Sequence, residues 1–352
     1  GAITAAANPR LSTLSDEARL TFQVAQSRFG LWFGEGKPVR GLIEIDFIDF
    51  TKASPTVQAV PRLRIAKVEV DLLDNKLLLI AGQDWDLYQP VNHHGINIVG
   101  GAFLNGNTGF MRQQIKLIYN NGKIEAGAAV GLQGINATPR DAGIELSRFP
   151  SFAARMAYVP NAKSRIGMSA IASDFKFFNA AFTESRRAFS GSAGIYGNLA
   201  ISPSTNLRWE GYIARNAQNF GMLALGSGDI LHDIDEAGGF LSIRQELVNE
   251  MNWLFAYAGI AHVMNDGVVN PGYNATTSAT GAVTYAASGQ GFGIKQNMTG
   301  HLGYEYRPYP SLAFLVEGFF YRTNHKLIGA DVGVISGGRK AAGAEVGATY
   351  TF

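Results

Sequence analysis

The chain has no cysteine among its 352 residues. Disulfide stapling is therefore excluded, and the composition fits an exported protein that carries no oxidisable thiol. Hydrophobic residues make up 46% of the chain, yet no run of eighteen apolar residues occurs, so a membrane-spanning helix is not expected. Charge of one sign is also missing. A formal net charge of +2 gives no electrostatic footprint for nucleic acid. No fixed-period repeat is present, which sets aside a soluble propeller or β-helix. Proline is scarce, at 12 residues, and helix-type periodicity is weak. No signal peptide is visible at Gly1, so if the protein is exported, the expectation is that this is the mature form after removal of a leader.

What is present is glycine (42), phenylalanine (22) and period-two alternation. In KIEAGAAVGLQ, Ile124, Ala126, Ala128, Val130 and Leu132 alternate with Glu125, Gly127, Ala129, Gly131 and Gln133. Alternation of that length argues for a strand. Similar segments recur along the chain in pairs. Each pair is joined by a tight turn such as LDN, NNG, PNAK, PSTN or PYP, and NNG is a hairpin signal in its own right. Between the pairs lie long connections, over 51–60, 84–108, 134–150, 174–187, 218–236, 264–292 and 324–338. Seven tight turns give fourteen strands. The final strand ending at Phe352 and one in the poorly patterned residues 1–8 bring the expectation to sixteen. The segment 18–33 slips phase between Val24 and Phe29, which predicts a bulge.

Short turns on one side and long loops on the other are what transmembrane barrels display. The expected fold is one all-β domain over 1–352, an antiparallel barrel of about sixteen strands. Closing that many strands removes every edge and leaves an aqueous lumen. The apolar faces would then meet lipid: Phe152, Met156 and Tyr158; Leu207, Trp209 and Ile213; Trp253, Phe255 and Tyr257; Leu312, Phe314 and Val316. The polar faces would line water, with Glu125, Arg155, Arg165, Arg208, Glu210, Arg244 and Glu246 as pore-lining residues. Trp32, Phe33, Tyr119, Tyr158, Tyr304, Tyr306, Tyr350 and Phe352 fall near turn-side strand ends, where an aromatic girdle would sit.

The stretch Asp84–Thr108, DWDLYQPVNHHGINIVGGAFLNGNT, has no regular periodicity. A loop of this length inside a compact domain is usually functional. It is the third long connection by the strand count, and it is read as folding inward to constrict the lumen. The segments SRFGLWF, PRLRIAKVEV, AGQDW and NTGFMRQQIKL, with the terminal Tyr350-Thr351-Phe352, resemble trimeric sixteen-stranded bacterial outer-membrane porins, among them the DcaP-type branch. The resemblance implies a barrel in the outer membrane, in contact with lipid including lipopolysaccharide, a homotrimer, and Tyr350 and Phe352 as an assembly signal. It also implies a third loop whose acids face a ladder of arginines. By order, Arg28, Arg62, Arg64 and Arg112 match that ladder, with Lys116 on the same face as Arg112. Asp84 and Asp86 lie at the loop's start rather than its tip, which departs from the general porin pattern. The tip, INIVGGAFL, is apolar and is expected to pack on the wall.

Other motifs carry less. His93-His94 lacks companion ligands for a zinc site, so no metal and no cofactor is expected. His262 and His301 fall on predicted lumen faces. GEGKP lacks the glycine spacing and hydroxyl of a phosphate loop. The three Asn-x-Thr sequons read as chance. No GxSxG or spaced triad nominates an enzyme. The leading expectation is a passive porin for small hydrophilic solutes with a mild anion preference. The alternative is a structural or adhesive barrel with a plugged lumen. On this reading Arg112→Ala should raise conductance and shift reversal potential towards cations, with stability nearly unchanged.

Overall fold

The computed structural model describes residues 27–47, 61–96, 101–102, 104–132, 149–178, 183–226, 228–248, 250–269, 273–277, 283–287, 293–329 and 336–351. The strands in chain order are β1 (Arg28–Phe33), β2 (Val39–Asp46), β3 (Arg62–Leu72), β4 (Leu77–Trp85), β5 (Met111–Asn120), β6 (Ile124–Gly131), β7 (Ser151–Asn161), β8 (Ser164–Phe178) and β9 (Ser185–Ser202). They continue as β10 (Thr205–Arg215), β11 (Asp235–Val248), β12 (Asn252–Val263), β13 (Tyr273–Thr277), β14 (Val283–Ala287), β15 (Ile294–Tyr309), β16 (Leu312–Gly329) and β17 (Ser336–Tyr350). Among the described residues there is no α-helix, and no helix long and apolar enough to cross a membrane.

Fifteen of these strands form one antiparallel wall, each hydrogen-bonded to its sequence neighbour from β1 to β12, and then from β12 to β15, β16 and β17. β13 and β14 form a hairpin inside the predicted 264–292 loop, and β13 joins the end of β16 in parallel. The expected strand in residues 1–8 and the expected bulge after Val24 lie outside the described residues, as does Phe352. Several strands run past their predicted ends. β8 reaches Phe178 and β9 starts at Ser185, so most of the expected 174–187 loop is strand. The alternation simply continues there with charged residues, as in Lys176↔Arg187.

The wall has two faces of opposite character. Side chains that meet residues 84–108 define the inside. Outside, Phe152, Met156, Met168, Ile195 and Ile213 are each more than half exposed. A row of that length, left open to the surroundings on every strand, is stable in lipid and costly in water. The tight turns use left-handed residues, Leu73, Asp74 and Asn75 in one and Gly122 in another, where the Asn120 side chain accepts from the Gly122 N–H at 2.8 Å.

Two face assignments change. Phe255 and Tyr257 point inward and are almost fully buried, and Trp253 lies inward under the Arg244 guanidinium at 4.0 Å from the ring centre. His262, expected inside, is on the outer face and exposed. On β12 both faces are apolar, so alternation of polarity does not mark which is which. There only register decides.

The outward row predicts a specific cost. Ile195→Arg on β9, about mid-strand, should lower the folding free energy in lipid vesicles by about 2–4 kcal/mol, whereas Ile195→Leu should change it little. Equal stability of the arginine variant would place that face away from lipid.

Candidate functional site: a loop pinned inside the wall

The loop that leaves β4 is anchored at its root by charge. Asp84 on β4 sits opposite Arg112 on β5, yet its carboxylate pairs with Lys116 at 2.7 Å and Lys67 at 3.3 Å. Asp86, two residues on, accepts from the Arg112 guanidinium, with Nη2 to Oδ2 at 2.9 Å and a second contact from Nε. Arg112 also donates to the Leu132 carbonyl at 2.9 Å and lies over the Phe220 ring at 4.8 Å. Gln114 ties down the same corner, donating to the carbonyls of Asp84 and Trp85 at 2.8 and 2.9 Å. The acids at the start of the loop therefore do not face solute. They clamp the loop to its own flanking strands.

Beyond the root, the loop crosses the interior and is held by side chains of distant strands. The Tyr88 hydroxyl bonds Ser192 on β9 at 2.5 Å. Glu210 on β10 accepts from the Val91 N–H at 2.7 Å and from the Asn107 amide at 3.3 Å. Ser242 on β11 meets both the N–H and the ring Nδ1 of His94, at 3.0 and 2.9 Å. Glu317 on β16 accepts from the Ile96 N–H at 2.8 Å. Asn297 on β15 donates to the Leu104 carbonyl at 2.9 Å, and Tyr321 donates to the Gly101 carbonyl at 3.3 Å. One segment thus touches strands from β9 to β16, which is possible only because the sheet curls around it.

An aromatic stack reinforces this. His93 stacks on Tyr257 and Tyr257 on His301, each pair with ring centres 4.0 Å apart. Tyr257 and His301 both reach Glu317 Oε1, at 2.9 and 2.5 Å. His93 donates through Nδ1 to the His94 carbonyl at 2.7 Å, and its Nε2 accepts from the Ala102 N–H at 3.3 Å. Both nitrogens are committed to protein atoms, which leaves none for a metal. Burial first, then neighbouring cations for His94, holds the two imidazoles down at about 4 and about 3, so both are neutral at pH 7. Among the described residues no group of three ligating side chains is gathered.

A second inward segment was not legible in the sequence. Residues 216–226, most of which fall in the expected 218–236 loop, place Phe220, Met222, Ala224 and Leu225 against the loop residues Leu87, Tyr88 and Leu104. Glu236 on β11 holds it, accepting from the Leu225 N–H at 2.6 Å and the Tyr212 hydroxyl at 2.5 Å. The one available signal was the apolar stretch FGMLAL at 220–225, unusual for a solvated loop.

The arginines near the front of the chain are paired. Arg62 bonds Asp46, with its closest contact at 2.6 Å, and Arg64 meets Glu44 and, at 3.7 Å, Asp46. Arg28 lies within the field of the same four groups. The register shifts between Glu44 and Ile45, opposite Arg64, and that bulge lets Arg62, Arg64 and Lys67 share the inner face. Lys67, Glu44, Asp46 and Glu69 belong to this cluster and were not singled out from sequence. Glu125 bridges Arg155 at 2.7 Å and Arg165 at 3.1 Å. Arg244 pairs with Glu305 at 2.9 Å. Glu246 sits at the short-turn end, accepting from the Glu250 N–H at 2.7 Å. Arg208 differs from all of these. It donates to the Asn206 side chain at 3.1 Å and the Asn92 carbonyl at 3.2 Å, and no carboxylate pairs with it among the described residues.

No family model matches the sequence, and no curated protein matches it either. Its fold, by contrast, is similar to solved structures. The outer membrane channel DcaP of Acinetobacter baumannii superposes with a TM-score of 0.68 at 12% identity, over 93% of this chain and 85% of that one. OprB of Pseudomonas putida gives 0.53 at 10% identity, over 91% and 86%, and another porin gives 0.51 at 9%, over 92% and 91%. The chain has the fold of porin-type outer-membrane barrels.

The root geometry revises one expectation. Arg112 and Asp86 are both almost fully buried, so Arg112→Ala strands a carboxylate away from water. Breaking such a pair costs about 3–5 kcal/mol, not the near-zero change expected of an open lumen position. Loosening of the loop should show as noisier, higher conductance together with a lower unfolding temperature on a heat-modifiable gel. An unaltered unfolding temperature would mean the pair does not secure the loop. A second test uses Gly106, at φ +109°, where an added Cβ would lie 2.0 Å from the Gly239 carbonyl oxygen of β11. Gly106→Ala should expel the loop tip from the wall, raising protease cleavage within 97–108. A variant as resistant as the parent would show that this contact is dispensable.

Proposed function

We propose that this protein is an outer-membrane porin, through which small hydrophilic solutes diffuse passively past the inward-folded loop. The observation that carries the reading is the polarity of the wall. Its outer face is apolar on strand after strand, while its inner face carries ion pairs and hydroxyls, with one loop held across the interior. The fold shared with DcaP and OprB supports the same reading. A homotrimer in the bacterial outer membrane, reached by export with a removed leader, belongs to this proposal. The outward alanines of β6 and β17 would permit close subunit packing. Tyr350 and Phe352 are proposed as the assembly signal.

The mild anion preference rests on Arg208. Most other inner cations described above are countered by a carboxylate, whereas Arg208 places its guanidinium on the Asn92 carbonyl of the loop, and its neighbour Arg244 shares Glu305 with Arg307. Fixed positive charge in a narrow aqueous passage favours anions. Thr299, His301 and Glu317 are hydrogen-bonded in series but buried, and the Thr299 hydroxyl donates to the Phe320 carbonyl; an enzymatic role is not proposed. A second reading, a structural barrel with a plugged lumen, is favoured by the second inward segment, whose Phe220 and Leu225 pack densely against the first.

Planar-bilayer recording separates the two. The porin reading expects stepwise conductance and a reversal potential on the anion side in a salt gradient. Arg208→Gln should move that potential towards cations with little change in folding. Verified insertion without conductance would sink the porin reading in favour of the plug.

A further inference from the structure

We infer that residues 217–225 form a displaceable gate, a second constriction that swings out of the lumen as a unit while the loop 84–108 stays in place. The inference rests on the porin reading above and concerns the regulation of that same passage. Its basis is a difference in how the two inward segments satisfy their backbones. The loop 84–108 gives the N–H groups of Val91, His94 and Ile96 to Glu210, Ser242 and Glu317, on three different strands. Its carbonyls at Asn92, Gly101 and Leu104 accept from Arg208, Tyr321 and Asn297. Withdrawing it would break all of these bonds together.

The segment 217–225 largely serves itself. The N–H groups of Asn219, Phe220, Gly221 and Met222 donate to the carbonyls of Asn216, Ala217, Gln218 and again Ala217, at 3.0–3.1 Å, and Ala224 donates to Met222 at 2.8 Å. Those bonds travel with the segment. Its packing is apolar and non-directional. Phe220, Met222 and Ala224 share a cluster with Leu87, Tyr88, Ala129 and Ala153, and Leu225 shares another with Leu104 and Val263. The polar ties described are the Leu225 N–H to Glu236 at 2.6 Å and a long contact from Arg112 to the Phe220 carbonyl at 3.5 Å. Both ends of the segment meet at Ile234. Asn216, left-handed at φ +51°, makes two bonds with the Ile234 backbone at 2.8 and 2.9 Å, and a Cβ at Gly226 would lie 2.6 Å from the Ile234 side chain. A self-bonded loop on so narrow a neck moves by changing dihedrals at a few end positions. When docked, the Phe220 ring lies under the Arg112 guanidinium, beside the root of the first loop, and is the stop of the gate.

The chain has no cysteine, so a single introduced thiol reports exposure without background. Ala224 and Ala102 are a matched pair, 1% and 0% exposed, one on each inward segment. Ala224→Cys and Ala102→Cys, each full-length and inserted in planar bilayers, are treated with a charged, membrane-impermeant methanethiosulfonate while current is recorded. Ala224→Cys should be modified on the order of a hundredfold faster than Ala102→Cys. Its charged adduct cannot re-dock in an apolar cluster, so conductance should rise and stay raised. Phe220→Ala, made without any cysteine, should raise the time spent at the higher conductance on the order of tenfold, and Phe220→Leu should return most of that change. Heat-modifiable migration checks that each variant is folded. Modification of Ala224→Cys no faster than of Ala102→Cys, modification that leaves conductance unaltered, or equal conductance of Phe220→Ala and the parent each overturns the inference. A channel that conducts but ignores these changes fails only here. A chain that inserts yet stays silent in the parent, in Phe220→Ala and after modification fails the porin reading itself.

Discussion

A polypeptide segment drawn into the interior of a barrel brings backbone N–H groups that bulk water no longer serves, and leaving one unmade costs more than making it gains. This constraint organises the molecule. Three wall carboxylates answer it. Glu210 accepts from Val91, Glu317 from Ile96 and Glu236 from Leu225, each within 2.8 Å. Each of these acids has a second donor as well, from Asn107, Tyr257 or Tyr212. The wall acids are therefore scaffolding for the inserted chain as much as lining of a passage.

The two ends of the long loop solve different problems. Its root uses full ion pairs, Asp84 with Lys116 and Lys67, and Asp86 with Arg112, all between chain neighbours in the wall. Its tip carries no charge and relies on close approach. Gly106 lies against the Gly239 carbonyl and Gly101 against the Tyr257 hydroxyl, so near that a methyl group would not fit at either place. Rings supply the rest, with His93, Tyr257 and His301 stacked in series. With the root clamped by ion pairs, the least compensated inner cation is Arg208, a wall side chain that meets the loop at the Asn92 carbonyl.

Sequence and structure agree best where a strand has one polar and one apolar face. On β5, Arg112, Gln114 and Lys116 turn inward and Ile115 and Leu117 outward, as the alternation requires. They part where that contrast is absent. Phe255 and Tyr257 on β12 are as apolar as the outward-facing Leu254 and Ile260, so composition could not orient them. The bulge opposite Arg64 is a second such place, since an extra residue moves Lys67 onto the inner face without any marker in the residues themselves.

By itself the sequence determined an all-β wall, the pairing of strands across short turns, the faces of the strongly alternating strands, and the inward fold of Asp84–Thr108 as an expectation. Period-two geometry is local, and a hairpin needs only neighbours. The tertiary structure alone decided which side chains secure that loop, and that 216–226 enters beside it. The bond from Val91 to Glu210 spans 119 residues, that from Ile96 to Glu317 spans 221 and that from Leu104 to Asn297 spans 193. Such contacts depend on the curvature of the whole wall, which no short stretch of sequence encodes.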